Sequence, residues 1–345
     1  MVYHKQPVWP WAAPYRAEEG VLKVCVFGAG AIGGYLGVEL ARTDVDLSVV
    51  ARGAHLAAMR AGGLRLRIDG EEHVAHPRCT DAPSELGAQD YVIIALKAHT
   101  ISDVVESMIP LLGARTCVVT ASNGLPYWYF YGAGGVPKGT TLETIDPGGK
   151  QWRNLGPERA VGCVVFPAAE VIAPGIIQHE HGRKFPIGEP NGGKTPRIEK
   201  LHRLLTQAGF DAPIRSDIRD EIWLKLWGNL CFNPISALTL ATVDVIARNP
   251  ETRAICKTMM AEAAAIGERL GVHLRVDADR RIDGIAGLGP HKMSMLQDLE
   301  HGRSMEIEAL VGVVAELGRL LDVPTPTVDV VLALIRQRAR CASLQ

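Results

Sequence analysis

Lys225, Asn229 and Asn233 recur at every fourth position of IWLKLWGNLCFN, residues 222–233, a stretch that is otherwise almost wholly apolar. That spacing puts all three side chains on one stripe of a helix. Surface helices carry wide polar faces, whereas this stripe is narrow. Buried polar groups cost free energy unless they are paired, so a lysine and two carboxamides on a greasy helix imply a cleft facing a polar ligand. The competing reading is a set of helix-end hydrogen bonds beside a snorkelling lysine. In a cleft, an ammonium can stabilise developing negative charge and deliver a proton, and burial would bring its pKa toward working pH.

A carboxylate is available to accompany it. On a helix expected to begin near Ser304, Glu306 shares an apolar face with Leu310, Val313 and Leu317, while Glu308 lines up with Gly312, Ala315 and Arg319. The spacing points Glu306 inward and leaves Glu308 more exposed. An inward carboxylate has a partner or a task. Upstream, KMSMLQD at 292–298 offers Ser294 as a small hydroxyl in an apolar run.

A second group of residues can hold a dinucleotide. Gly28, Ala29, Gly30, Ala31, Ile32 and Gly33 form a G-x-G-x-x-G run that directly follows one strand pattern and opens a helix pattern. Glycines permit the tight turn and let backbone N–H groups approach a pyrophosphate at the helix N-terminus. The strand-before, helix-after context lifts this motif above a bare glycine-rich turn. The second strand ends in Val49-Val50-Ala51-Arg52. An NAD site places a carboxylate there for the ribose 2′-hydroxyl; here Arg52 stands beside that position and suits the 2′-phosphate of NADP instead. NADP(H) is therefore the expected cofactor. Lys97 ends the third strand and Asn123-Gly124 follows the next, at the carboxyl ends where doubly wound sheets bind ligands.

The elements that must position these residues fall into two kinds. Strands are expected at 22–27, 47–50, 91–96 and 117–120, alternating with helices at 32–43, 53–61 and 101–112, which reads as βαβ units in a mostly parallel sheet. A Gly- and Pro-rich stretch at 132–157 reads as an inserted loop. Further strands are expected at 161–166, 176–180 and 184–187, with a helix at 196–208. From about Asp217 helical periodicity dominates and strand patterns cease. The expected organisation is an extension at 1–20, containing Trp9, Trp11 and Pro14, an α/β half at 21–216 and an all-α half at 217–345.

Composition sets the limits. A chain of 345 residues is long for one core. A formal charge of −1 gives no global electrostatic argument for binding nucleic acid or an anionic membrane. No apolar run reaches the roughly 18 residues needed to span a bilayer, and the N-terminus lacks a signal-peptide core. Seven cysteines without a C-x-x-C pair suit reduced thiols in the cytoplasm. No metal is expected: His179 and His181 share a strand face but have no third ligand at a recognisable spacing.

Together, the N-terminal G-x-G-x-x-G, Arg52, Leu96-Lys97, Asn123-Gly124, the K-x-x-x-N-x-x-x-N-P of 225–234, and SMLQD with Glu306 twelve residues beyond Ser294 resemble the ketopantoate reductases over residues 22 to about 335. The resemblance implies a Rossmann-type α/β domain followed by an all-α domain like that of 6-phosphogluconate dehydrogenase. It implies NADPH-dependent reduction of 2-dehydropantoate in the pantothenate and coenzyme A pathway. Lys225 would be the general acid and Glu306 the catalytic or substrate-positioning carboxylate. Asn123, Asn229, Asn233 and Ser294 would lie around the substrate and nicotinamide, with Lys97 and Arg52 contacting the cofactor. The aromatic segment 125–131 and the long loop after it depart from simpler family members and leave the exact 2-oxo acid open. A different 2-oxo acid, an opine-like imine and a non-catalytic NADP(H) sensor are the rival readings, and a homodimer is an open arrangement.

Overall fold

The computed structural model describes residues 20–134 and 136–344; the expected N-terminal extension lies, but for Gly20, outside the described residues. The first half is built on β1 (Leu22–Phe27), α1 (Ala31–Leu40), β2 (Val45–Val50), α2 (Gly53–Gly62), β3 (Leu64–Ile68), β4 (Glu71–Ala75), β5 (Arg78–Thr80), β6 (Gln89–Ile94), α3 (Ala98–Val104) and β7 (Leu112–Thr120). It continues with α4 (Lys150–Leu155), β8 (Ala160–Cys163), β9 (Ala168–Ala173), β10 (Ile176–His181), β11 (Ile187–Gly188) and α5 (Pro196–Gln207). The β-branched runs of β1, β2, β6 and β7 are buried on both faces, as a parallel sheet covered by helices requires.

Seven strands form the main sheet in the order β11-β8-β7-β6-β1-β2-β5. All neighbours are parallel except β11 against β8. Strand order reverses between β1 and β6, the switch point at which such sheets leave a crevice. A second sheet, β4-β3-β10-β9, covers α1. There Gly34 lies so close to Ile177 that a Cβ would come within 2.5 Å of its side chain.

No strand is expected from the sequence at β3 and β4, whose charged outer residues pair with one another: Arg65 and Arg67 both bond Glu72. Their turn, Asp69-Gly70, has positive φ at both residues, the geometry of a two-residue hairpin. Other boundaries also differ. The helix expected at 101–112 starts at Ala98 and tightens after Val104 into a 3₁₀ stretch holding Pro110, because proline cannot continue the α-helical ladder. The strand expected at 184–187 shrinks to Ile187–Gly188. The stretch read as a plain loop contains α4, whose first N–H groups, those of Gln151 and Trp152, are held by the buried Asp146 carboxylate at 2.7 and 2.9 Å.

The second half is helical: α6 (Ile218–Thr239), α7 (Val243–Arg248), α8 (Pro250–Arg269), α9 (Ala278–Ala286), α10 (Ser294–Glu300), α11 (Val313–Leu320) and α12 (Pro326–Cys341). Helix α6 is central and packs against α8, α10 and α12. Its N-terminal Asp220 and Glu221 suit the positive end of the helix, and Leu240 ends it in the left-handed conformation. Among the described residues no helix is long and apolar enough to cross a membrane.

Candidate active site

The carboxyl ends of the main sheet and the inner face of the helical half enclose a cavity of about 1130 Å³. At its sheet end lies the glycine turn between β1 and α1. Gly28 has φ +104°, and a Cβ there would lie 2.5 Å from Leu96; a Cβ on Gly33 would lie 1.7 Å from the Gly28 carbonyl oxygen. Both glycines are thus fixed by the turn itself. Gly30 differs. Among the described residues no atom lies within 4 Å of where its Cβ would sit, and it borders the cavity. Space is kept open in front of the amino end of α1, where backbone N–H groups lack helical acceptors.

Arg52, at the start of α2, is exposed, lines the same cavity and forms no ion pair among the described residues. Lys97, just past β6, is less free. Its ammonium pairs with Asp298 at 2.8 Å and donates to the Ser304 carbonyl at 2.6 Å, tying the sheet edge to the helical half. Asp298 also accepts from Arg303 at 3.1 Å.

On the other wall stand Lys225 and Asn229 of α6. The Lys225 Nζ donates to Asn123 Oδ1 at 2.8 Å and to the Val165 carbonyl. The Asn123 Nδ2 in turn donates to Glu306 Oε2 at 2.8 Å, and Glu306 Oε1 accepts from the Ala98 backbone N–H at 2.9 Å. The result is one line of bonds from ammonium to amide to carboxylate to helix N-terminus. An ammonium has three N–H donors; two are used by protein, and the cavity lies open to the third. Burial pushes the Lys225 pKa down to about 8, while the charge of Glu306 works in the opposite direction.

Local structure makes this line possible. Gly124 has φ +82°, and a Cβ on it would lie 2.4 Å from the Ala309 carbonyl oxygen, so the 123–124 turn packs directly on backbone. That backbone is a π-helical turn, Glu308–Gly312, a widening often found at functional sites. Glu306 precedes this turn and is buried at 8% exposure, whereas Glu308 sits outside and pairs with Arg336 at 2.6 Å. The expected inward and outward assignment of the two glutamates agrees with their positions. The expected helix start near Ser304 does not, since the helix begins at Ile307.

Asn229 lines the cavity and makes no hydrogen bond to protein among the described residues. Ser294 lines it too, donating to Asn233 Oδ1 at 3.0 Å. Asn233, expected beside the substrate, is instead completely buried behind Ser294 and off the cavity wall. Its Oδ1 also accepts from the Met295 N–H at 3.1 Å, so it holds the start of α10.

The aromatic segment also lies off the cavity. Tyr127, Trp128, Tyr129 and Phe130 are core residues, with the Trp128 indole N–H bonded to Thr120 Oγ1 at 3.0 Å. The rings anchor the long loop, which Glu316 also grips through the N–H groups of Glu143 and Thr144. His179 is likewise structural, bonded to the Gly182 carbonyl at 2.7 Å and packed on Tyr35. Around His181 the outcome differs from the sequence reading: Glu180 and His291 bring possible ligand atoms within 4.8 Å of its own. Sequence spacing could not show this, because His291 comes from the helical half.

Comparison with known proteins gives a consistent result. Residues 24–129 match the family model "Ketopantoate reductase PanE/ApbA", and 217–339 match its C-terminal counterpart. The 2-dehydropantoate 2-reductase of Mesorhizobium japonicum is 56% identical over 319 residues, covering 92% of this chain and 98% of that protein. A solved structure from Ralstonia solanacearum, described as a candidate ketopantoate reductase, superposes with a TM-score of 0.90 at 41% identity, covering 94% of this chain and 100% of the other. The 2-dehydropantoate 2-reductase of Geobacter metallireducens superposes at 0.80 with 27% identity over 92% of this chain and 99% of its own. The chain belongs to the ketopantoate reductase family, a family of oxidoreductases.

Proposed function

We propose that this chain reduces the C2 ketone of 2-dehydropantoate to give pantoate, using NADPH, with Lys225 as the general acid. One observation carries the reading: the half-buried Lys225 ammonium, held through Asn123 to Glu306, opens onto the same cavity as the glycine turn. The open space at Gly30 fits a pyrophosphate, and the unpaired Arg52 fits a 2′-phosphate. When bound, the reduced nicotinamide supplies hydride.

The chain's own residues do the rest. Gly28–Gly33 and Arg52 bind the dinucleotide on residues 21–216, and Lys97 keeps that half against α10. Lys225, from residues 217–345, hydrogen-bonds the ketone oxygen with its free N–H, stabilises the negative charge that grows there, and hands over its proton. Asn123 and Glu306 fix the ammonium in that direction. Asn229 and Ser294 orient the substrate, and Asn233 sets Ser294.

The test is NADPH oxidation followed at 2-dehydropantoate and at a small panel of branched and aromatic 2-oxo acids. The reading expects 2-dehydropantoate to have the highest kcat/KM. A higher value for another 2-oxo acid would move the substrate, and no turnover with any would favour a cofactor-binding protein without catalysis.

A further inference from the structure

Arg281 is a cation that the bonding described above does not use. It lies on α9, half-buried, with its Nε fully shielded and without a hydrogen-bond acceptor, and no ion pair involves it among the described residues. The acids of α9 are engaged elsewhere. Asp279 and Asp283 face Arg253 at 2.8 and 2.7 Å, with Lys257 also on Asp279, and Asp277 faces Arg280. A guanidinium partly shielded from water and without a counter-ion is destabilising, and here it is kept beside a second cation, Lys225, whose pKa its charge helps to lower.

The neighbouring helix makes room for it. Gly228 of α6 would, with a Cβ, lie 3.0 Å from Arg281 Nη2, 3.3 Å from its Nε and 2.8 Å from Ile285 Cδ1. Gly228 therefore gives up a side chain, in the middle of a helix where glycine is unfavourable, between Lys225 and Asn229. Arg281 lines the same cavity as those two residues and Ser294. Among the described residues the only carboxylate bonded into the line at Lys225 is Glu306, and both of its oxygens are taken by Asn123 and Ala98. Among the described residues, none supplies Arg281 with a counter-ion.

We propose that Arg281, seated against Gly228, binds the carboxylate of the 2-oxo acid at the cavity wall and so turns the adjacent ketone oxygen toward Lys225. A guanidinium presents parallel N–H donors that match a carboxylate, which an ammonium or carboxamide does not. Asn229 and Ser294 then serve the ketone and the remainder of the chain. This rests on the 2-oxo acid reading above.

The experiment compares Arg281→Gln and Arg281→Lys with the parent enzyme on 2-dehydropantoate and on its uncharged amide. Losing hydrogen bonds to a charged group should raise KM for the acid about 10- to 100-fold and kcat/KM for the amide should change by less than about threefold. The NADPH dissociation constant, read by fluorescence, should not move. Tm should hold or rise, because an unpaired, partly shielded charge is removed. Equal losses on acid and amide, a fall in Tm with both, or an unchanged KM for the acid would overturn the assignment. Gly228→Ala provides an independent variant: it crowds the guanidinium and should raise KM for the acid while leaving Arg281 in place. Calorimetric titration of the NADPH-loaded protein with acid and amide separates this inference from the wider one. Acid binding that is lost in Arg281→Gln supports it even if the parent turns nothing over, and acid binding indifferent to Arg281 rejects it even if the parent is an efficient reductase.

Discussion

Lys225 and Glu306 form no ion pair; the amide of Asn123 stands between them, accepting from the one at 2.8 Å and donating to the other at 2.8 Å. The separation has a chemical consequence. A direct ion pair would hold the ammonium charged far above neutrality, whereas a relayed carboxylate only partly offsets burial, and the pKa comes to about 8.

Activity should therefore follow the protonated lysine. kcat/KM is expected to be level below pH 8 and to fall about tenfold per unit above it, since the acid form is the working form. In Glu306→Gln the charge that raises the Lys225 pKa is gone, so the descending limb should move to lower pH and turnover at pH 7 should drop. A pH–rate profile of this variant that overlays the parent would contradict the relay.

Arg52 should decide the choice of dinucleotide. Charge-assisted hydrogen bonds to a 2′-phosphate are worth about 1.5–3 kcal/mol, so Arg52→Ala should lower the preference for NADPH over NADH by about 10- to 100-fold, mainly by weakening NADPH. Steady-state kinetics with both cofactors give the ratio. An unchanged ratio would remove the residue from the site.

The glycine turn predicts two opposite phenotypes. In Gly33→Ala the new methyl meets the Gly28 carbonyl, so the turn must shift, and both Tm and dinucleotide affinity should fall. In Gly30→Ala nothing among the described residues is met, so Tm should stay within about 2 °C of the parent, given a free-energy change under about 0.5 kcal/mol, while dinucleotide affinity drops about tenfold or more. Calorimetry and fluorescence titration distinguish them; a Gly30→Ala protein that binds normally would mean that the open space serves no ligand.

Much of this site is readable from residue types alone, because periodicity reports which way a side chain faces. The four-residue spacing aims Lys225 and Asn229 at one cavity, whereas Glu306 and Glu308 part as inward and outward for another reason, since Glu306 precedes the helix and Gly312 and Ala315, in line with Glu308, are buried. Periodicity cannot say how deep a face runs, and so Asn233, on the same stripe, proves to be buried behind Ser294. It also cannot show a contact between distant segments, as with Asp298 on Lys97, Ala309 under Gly124, or His291 beside His181. Arg281 did leave a trace: it stands four residues before the buried Ile285 and next to the exposed Arg280, so the helix period alone turns it inward. The hairpin β3–β4 left one too, in Asp69-Gly70, but its charged outer positions masked the alternation.

The role of Lys225 is tested most directly by single-turnover reduction in Lys225→Ala with NADPH already bound. General acid catalysis contributes about 10²- to 10⁴-fold, so the rate of NADPH oxidation should fall by that factor while the NADPH dissociation constant changes by less than about twofold. A rate near that of the parent, or equal losses in turnover and cofactor affinity, would contradict the assignment of this amine as the proton donor.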